Sequence, residues 1–138
     1  MKMRGTRALR GVLFSFAVGS LFVGCGGDDP TGPPEPQPQP GELRVALASG
    51  TPVGGVVLTV TGPAITSPAA SGGAQLYYDQ SGGALTAVVT GTSLSGEILR
   101  FTVPDVAQVA GYEVSLQEAA GTSNQSLASS GVQLSVVR

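Results

Sequence analysis

Gly96-Glu97-Ile98-Leu99-Arg100-Phe101-Thr102-Val103 reads as a half-buried β-strand. Leu99, Phe101 and Val103 fall on one side and Ile98, Arg100 and Thr102 on the other, the period of two that a pleated strand imposes. The same alternation recurs before and after it. Leu43, Val45 and Leu47 alternate with Arg44, Ala46 and Ala48, and Val56, Leu58 and Val60 with Val57, Thr59 and Thr61. Leu76 and Tyr78 alternate with Gln75, Tyr77 and Asp79, and Leu85, Ala87 and Val89 with Thr86, Val88 and Thr90. Further on, Tyr112, Val114 and Leu116 alternate with Glu113, Ser115 and Gln117, and Val132, Leu134 and Val136 with Gln133, Ser135 and Val137. Turn formers separate these runs, among them Gly54-Gly55, Gly62-Pro63, Ser81-Gly82-Gly83 and Ser95-Gly96. Helical periodicity is missing except for a single turn over residues 106–110, with Asp105 as N-cap and Gly111 as stop. Seven short strands with one apolar face each need a second sheet to cover that face. The expectation is an all-β, two-sheet antiparallel sandwich over residues 42–138. A parallel βαβ arrangement would need helical crossovers, and no sequence is left for them.

Upstream of the sandwich the composition changes twice. Residues 1–10 carry Lys2, Arg4, Arg7 and Arg10 with no acid, followed by an uncharged apolar run that ends in Leu21-Phe22-Val23-Gly24-Cys25. A basic start, a short apolar middle and a small residue at the cut site make a secretory signal over residues 1–24. The run is short of the roughly 20 apolar residues that span a bilayer. Cysteine directly after Gly24 resembles the lipobox of bacterial lipoproteins, with Phe22 where leucine is usual. That resemblance implies cleavage between Gly24 and Cys25 and a membrane anchor through lipid on Cys25. Gly26, rather than aspartate, after the cysteine resembles lipoproteins released to the outer membrane, facing periplasm or medium. Residues 25–41 then form a linker that holds six of the ten prolines, in Asp28-Asp29-Pro30-Thr31-Gly32-Pro33-Pro34-Glu35-Pro36-Gln37-Pro38-Gln39-Pro40-Gly41. Proline has no amide hydrogen to donate, so this tract reads as a polyproline II stalk of about 3.1 Å per residue. A proline-rich ligand for a recognition domain is the other reading; directly behind a lipidation site, a stalk fits better.

Cleavage would leave Arg44, Arg100 and Arg138 against nine acidic residues, a net charge of −6. Three scattered arginines on an acidic surface make no nucleic-acid binder, because phosphate neutralisation needs clustered cations. Several chemistries are also closed to the folded part. Histidine is absent from the whole chain, which removes histidine-assisted nucleophiles. Lysine is absent after residue 2, which removes Ser-Lys dyads and Schiff bases. With Cys25 lipidated, neither thiolate nor imidazole remains for zinc, copper or iron. No cofactor is implied, and no loop concentrates acids as a calcium site would. Paired carboxylates for hydrolysis are the surviving enzymatic idea, with Asp79, Glu97, Asp105, Glu113 and Glu118 as candidates at no recognisable spacing. Tyr77 and Tyr78 suggest a stacking platform for sugar, though adjacent strand residues point to opposite faces and only one is expected to be exposed. Asn124-Gln125-Ser126 matches a glycosylation sequon within residues 120–131, a polar loop expected to be flexible.

Two resemblances bear on the sandwich. Gly96-Glu97-Ile98-Leu99-Arg100-Phe101-Thr102-Val103, Gly55-Val56-Val57-Leu58-Thr59-Val60 and Tyr77-Tyr78-Asp79 resemble strands of cohesin-like domains, which assemble extracellular complexes by binding dockerins. Gly111-Tyr112-Glu113-Val114-Ser115-Leu116 is similar to a strand of fibronectin type III and immunoglobulin-like modules. Both imply a sandwich and differ in strand order. The expected function is that of a non-catalytic, membrane-anchored envelope lipoprotein whose domain binds an envelope protein or glycan. A carboxylate hydrolase and a spacer without specific ligand are the alternatives.

Overall fold

The computed structural model describes Gly32 and residues 34–138. The expected signal segment, the Gly24/Cys25 junction and the start of the stalk lie outside the described residues. Residues 34–40 are exposed and join neither helix nor strand. After them come eight strands: β1 (Gly41–Ser49), β2 (Val53–Thr61), β3 (Thr66–Ala70), β4 (Gln75–Ser81), β5 (Ala84–Leu94), β6 (Gly96–Val103), β7 (Glu113–Gly121) and β8 (Val132–Val137). They form two four-stranded antiparallel sheets, β3-β6-β1-β8 and β4-β5-β2-β7. Most connections cross between the sheets. The exception is the β4–β5 hairpin, where Ser81 pairs with Ala84 across Gly82-Gly83. Both glycines have positive φ, +58° and +82°, as the tight two-residue turn of a right-twisted hairpin requires.

Leu43, Val45, Leu58, Val60, Leu85, Val89, Leu99, Phe101 and Val103, all read as inward-facing, fill the space between the sheets. Among the described residues no polar or charged side chain is buried. The short 3-10 segment Val106–Gly111 starts at Asp105 as expected; its carboxylate accepts from the Ala107 amide.

Four readings need correction. An eighth strand, β3, escapes the alternation rule because it contains Pro68 and Ser67 in the left-handed region, φ +49°. Such residues suit an edge strand, which β3 is. Ile98 is buried rather than outward, because the register between β1 and β6 slips by one residue. Val45 pairs with Leu99 but Ala46 with Glu97, so Ile98 is the extra residue of a bulge and turns inward beside Leu99. Tyr78 is 53% exposed although it shares a side with Leu76: β4 is an edge strand, and the five-residue β3 of the other sheet leaves that side uncovered. Nor are the arginines scattered. Arg44 and Arg100 stand opposite each other on β1 and β6, and Val137, preceding Arg138, pairs with Arg44. Glu97 relieves that like-charge pair by bridging Arg44 at 3.3 Å while accepting from Ser71 Oγ at 2.7 Å.

The immunoglobulin order pairs its first two strands within one sheet. Here β1 and β2 lie in different sheets, so that order is not the one adopted.

Candidate functional site

The outer face of the sheet β4-β5-β2-β7 is laid out in rows by the strand registers. Gln75, Thr90, Gly55 and Ala120 form one row; Tyr77, Val88, Val57 and Glu118 the next; Asp79, Thr86, Thr59 and Ser115 a third. The β5, β2 and β7 members of the first two rows line a groove of about 650 Å³, within the usual range for small-ligand sites, with Gln75 and Tyr77 of β4 just outside it. Gly55, Val57, Val88 and Thr90 lie at its base, and Glu118, Asn124 and Ser126 are among the residues on its wall.

Local sequence explains the depression. Registers slip between Val53 and Gly55 on both flanks of β2, so the sheet is irregular there. At Gly54 the β7 backbone comes too close for a side chain: a Cβ would lie 2.9 Å from the Gly121 carbonyl oxygen. The wall is the segment after β7, expected to be a flexible loop. It is instead a hydrogen-bonded hairpin. The Asn124 amide donates to Gly121 O at 3.0 Å and the Gly121 amide to Gln125 O at 2.8 Å. Asn124 sits at φ +62°, the left-handed position that follows a type I turn in a three-residue hairpin loop. Ser126 then bridges to Ala120, and the Leu127 amide donates to Ala119 O at 2.9 Å. Asparagine tolerates left-handed backbone better than most residues, and this was the one available signal in the sequence.

The carboxylates do not converge on one another. Asp79, Glu113 and Glu118 share the outer face of this sheet, Glu97 lies on β6 of the other, and Asp105 caps the 3-10 segment. Asp79 on β4 is three strands from β7, about 14 Å at normal strand spacing. Glu113 and Glu118 are two rows apart, again about 13 Å along the strand. Hydrolytic carboxyl pairs sit about 5–9.5 Å apart. Tyr77 and Tyr78 are both exposed, 62% and 53%, which corrects the expectation of one. They look to opposite sides of the sheet, and Tyr77 is the one beside the groove, next to Val88.

Opposite the groove lies the point where the chain enters. Asp105 Oδ1 accepts from the Gln39 amide at 3.1 Å, Gln39 O accepts from the Val106 amide at 2.8 Å, and Arg138 Nε donates to Val106 O at 2.7 Å. Those contacts surround the start of β1 and the ends of β6 and β8. Val53, Gly121 and Leu94, which pair at the groove end, lie at the other end of the strands. The two hydrogen bonds from the Ala107 and Gln39 amides hold the Asp105 carboxyl below the ordinary aspartate range. Comparison with models of protein families, with curated proteins and with solved structures finds no match to this chain.

Proposed function

We propose that this chain is a non-catalytic envelope lipoprotein, anchored through lipid on Cys25, whose sandwich presents a binding site. One observation carries the reading: the linker joins the domain at Gln39 and Gly41, and the groove lies at the far end of the strands. A nine-residue strand spans about 30 Å. Among the described residues the linker attachment and the groove therefore lie toward opposite ends of the strands, so a partner seated in the groove does not meet the linker's point of entry. The clasp around Gln39 supports this, since it fixes how the linker leaves the domain. The wide separation of the carboxylates favours binding over hydrolysis. The resemblance to cohesin-like strands fits a module made for recognition.

Cells expressing the full chain and its Cys25→Ala variant are labelled with radioactive fatty acid and fractionated. Label is expected on the parent alone, in the membrane fraction. A pull-down from envelope extract with the anchored chain is expected to recover a protein or glycan that the groove variant Gly55→Leu, whose added Cβ meets nothing closer than Thr90 Cγ2 at 3.6 Å, does not. Equal labelling of both chains would remove the anchor, and a pull-down with no groove-dependent partner would remove the binding role.

A further inference from the structure

We infer that the groove's ligand is a neutral oligosaccharide; this rests on the reading of the domain as a binding module. The lining has the chemistry that a sugar needs on its several sides. A pyranose ring has an apolar face of C–H groups and an equator of hydroxyls, each of which donates and accepts. At the base, Gly55, Val57 and Val88 give an apolar floor without bulky side chains. Beside Val88 stands Tyr77, 62% exposed, with its hydroxyl donating to Gln75 Oε1 at 3.3 Å. An aromatic ring with one apolar face and one polar tip stacks on the C–H face while its edge stays wet. Around the floor come Asn124 and Glu118, while the Gln117 amide is turned to Ser115 Oγ at 3.2 Å, outside the groove. A planar amide offers two donors and an acceptor, and a carboxylate accepts twice, so each engages a pair of neighbouring hydroxyls.

Charge narrows the class. The strands β2, β4, β5 and β7 contain no lysine or arginine, and their outer face carries Asp79, Glu113 and Glu118. Such a face repels acidic sugars, phosphates and nucleic acid. A cationic peptide is disfavoured for a different reason. Within the groove Glu118 is the one carboxylate, and Asp79 and Glu113 are about 13–16 Å from it at normal sheet spacings, so no acidic trough exists for a run of positive charges. The site thus combines hydroxyl-matching groups, an exposed aromatic ring on the adjoining strand and a lining without cations.

Titration calorimetry on the full chain in detergent tests this with four probes: uncharged hexasaccharides of glucose and of N-acetylglucosamine, polygalacturonate, and a lysine decapeptide. Binding of at least one uncharged hexasaccharide is expected, weakened about tenfold or more by Tyr77→Ala and by Glu118→Ala. Tyr78→Ala, on the other side of the sheet, is expected to leave it unchanged, with circular dichroism verifying that each variant stays folded. Binding of polygalacturonate or the decapeptide alone would overturn the inference. So would hexasaccharide binding indifferent to Tyr77→Ala and Glu118→Ala, or no binding of any probe. A groove-dependent protein partner in the pull-down, together with no sugar binding, would sink the ligand class and leave the binding role standing.

Discussion

Tyr112 joins two kinds of stabilisation in one side chain. Its ring is buried against Phe101, with centroids 5.8 Å apart and planes tilted by 47°, and its hydroxyl donates to Ala64 O at 2.9 Å. Tyr112→Phe keeps the ring and removes the donor, which leaves the Ala64 carbonyl partly desolvated without a partner. The expected loss is about 1 kcal/mol, seen as a melting temperature lower by about 4–8 °C for a domain of this size. Phe101→Ala is a harsher change, because the fully buried ring sits between sheets whose backbone cannot collapse into the space. A cost of about 3–5 kcal/mol is expected, a large part of the usual stability of a small domain. Chemical denaturation monitored by circular dichroism would read it as a shifted midpoint with unchanged slope. Both residues were legible as inward-facing from alternation alone. Ile98 and Tyr78 were not, since a bulge turned one inward and a short opposing strand uncovered the other. Neither cause leaves a mark at the residue itself.

At the scale of elements, the hairpin β4–β5 was written in the chain and the strand β3 was not. Gly82-Gly83 between two alternating runs is a strong local signal, because few other residues accept positive φ at both positions. The turn yields an asymmetric prediction. Gly82→Asn is expected to be tolerated within about 0.5 kcal/mol, as asparagine followed by glycine suits the same turn. Gly83→Val places a β-branched side chain at φ +82° and is expected to cost about 1–2 kcal/mol. Thermal melts of the two variants side by side check this, and equal melting temperatures would contradict the assigned turn. β3 has the opposite character. Thr66-Ser67-Pro68-Ala69-Ala70 has no apolar alternation, and it becomes a strand because β6 offers an unpaired edge. The groove was hidden for a related reason. Its rows join residues up to 65 positions apart, from Gly55 to Ala120, and its depth comes from a register slip. Alternation tells which side a residue takes and says nothing of which strands become neighbours.

For the molecule as a whole, the end where the linker enters is as specified as the end with the groove. Asp105 does two tasks there: it caps the 3-10 segment through the Ala107 amide at 2.9 Å and holds the linker through the Gln39 amide at 3.1 Å. Both bonds favour the carboxylate, so its folded pKa lies below the unfolded value. A carboxyl of that kind contributes its stabilisation fully above the unfolded value, about 3.9, and loses it as pH falls through the lower folded value. The clasp is therefore expected to be indifferent to pH from neutrality down to about 5 and to open below about 4. Amide exchange or chemical shift at Gln39, followed against pH on the full chain, reports the opening directly. Asp105→Asn separates charge from geometry. Its side-chain oxygen still accepts from both amides, and asparagine caps as well as aspartate, so the clasp is expected to persist at pH 7 while the step below pH 4 disappears. Asp105→Ala is expected to free the Gln39 amide at every pH while the Val106 amide still donates to Gln39 O, and the core strands keep their exchange protection because Asp105 is not part of the core cluster. An acid step at Gln39 of equal size in Asp105→Asn would assign the transition to another carboxyl and detach the linker's orientation from this residue.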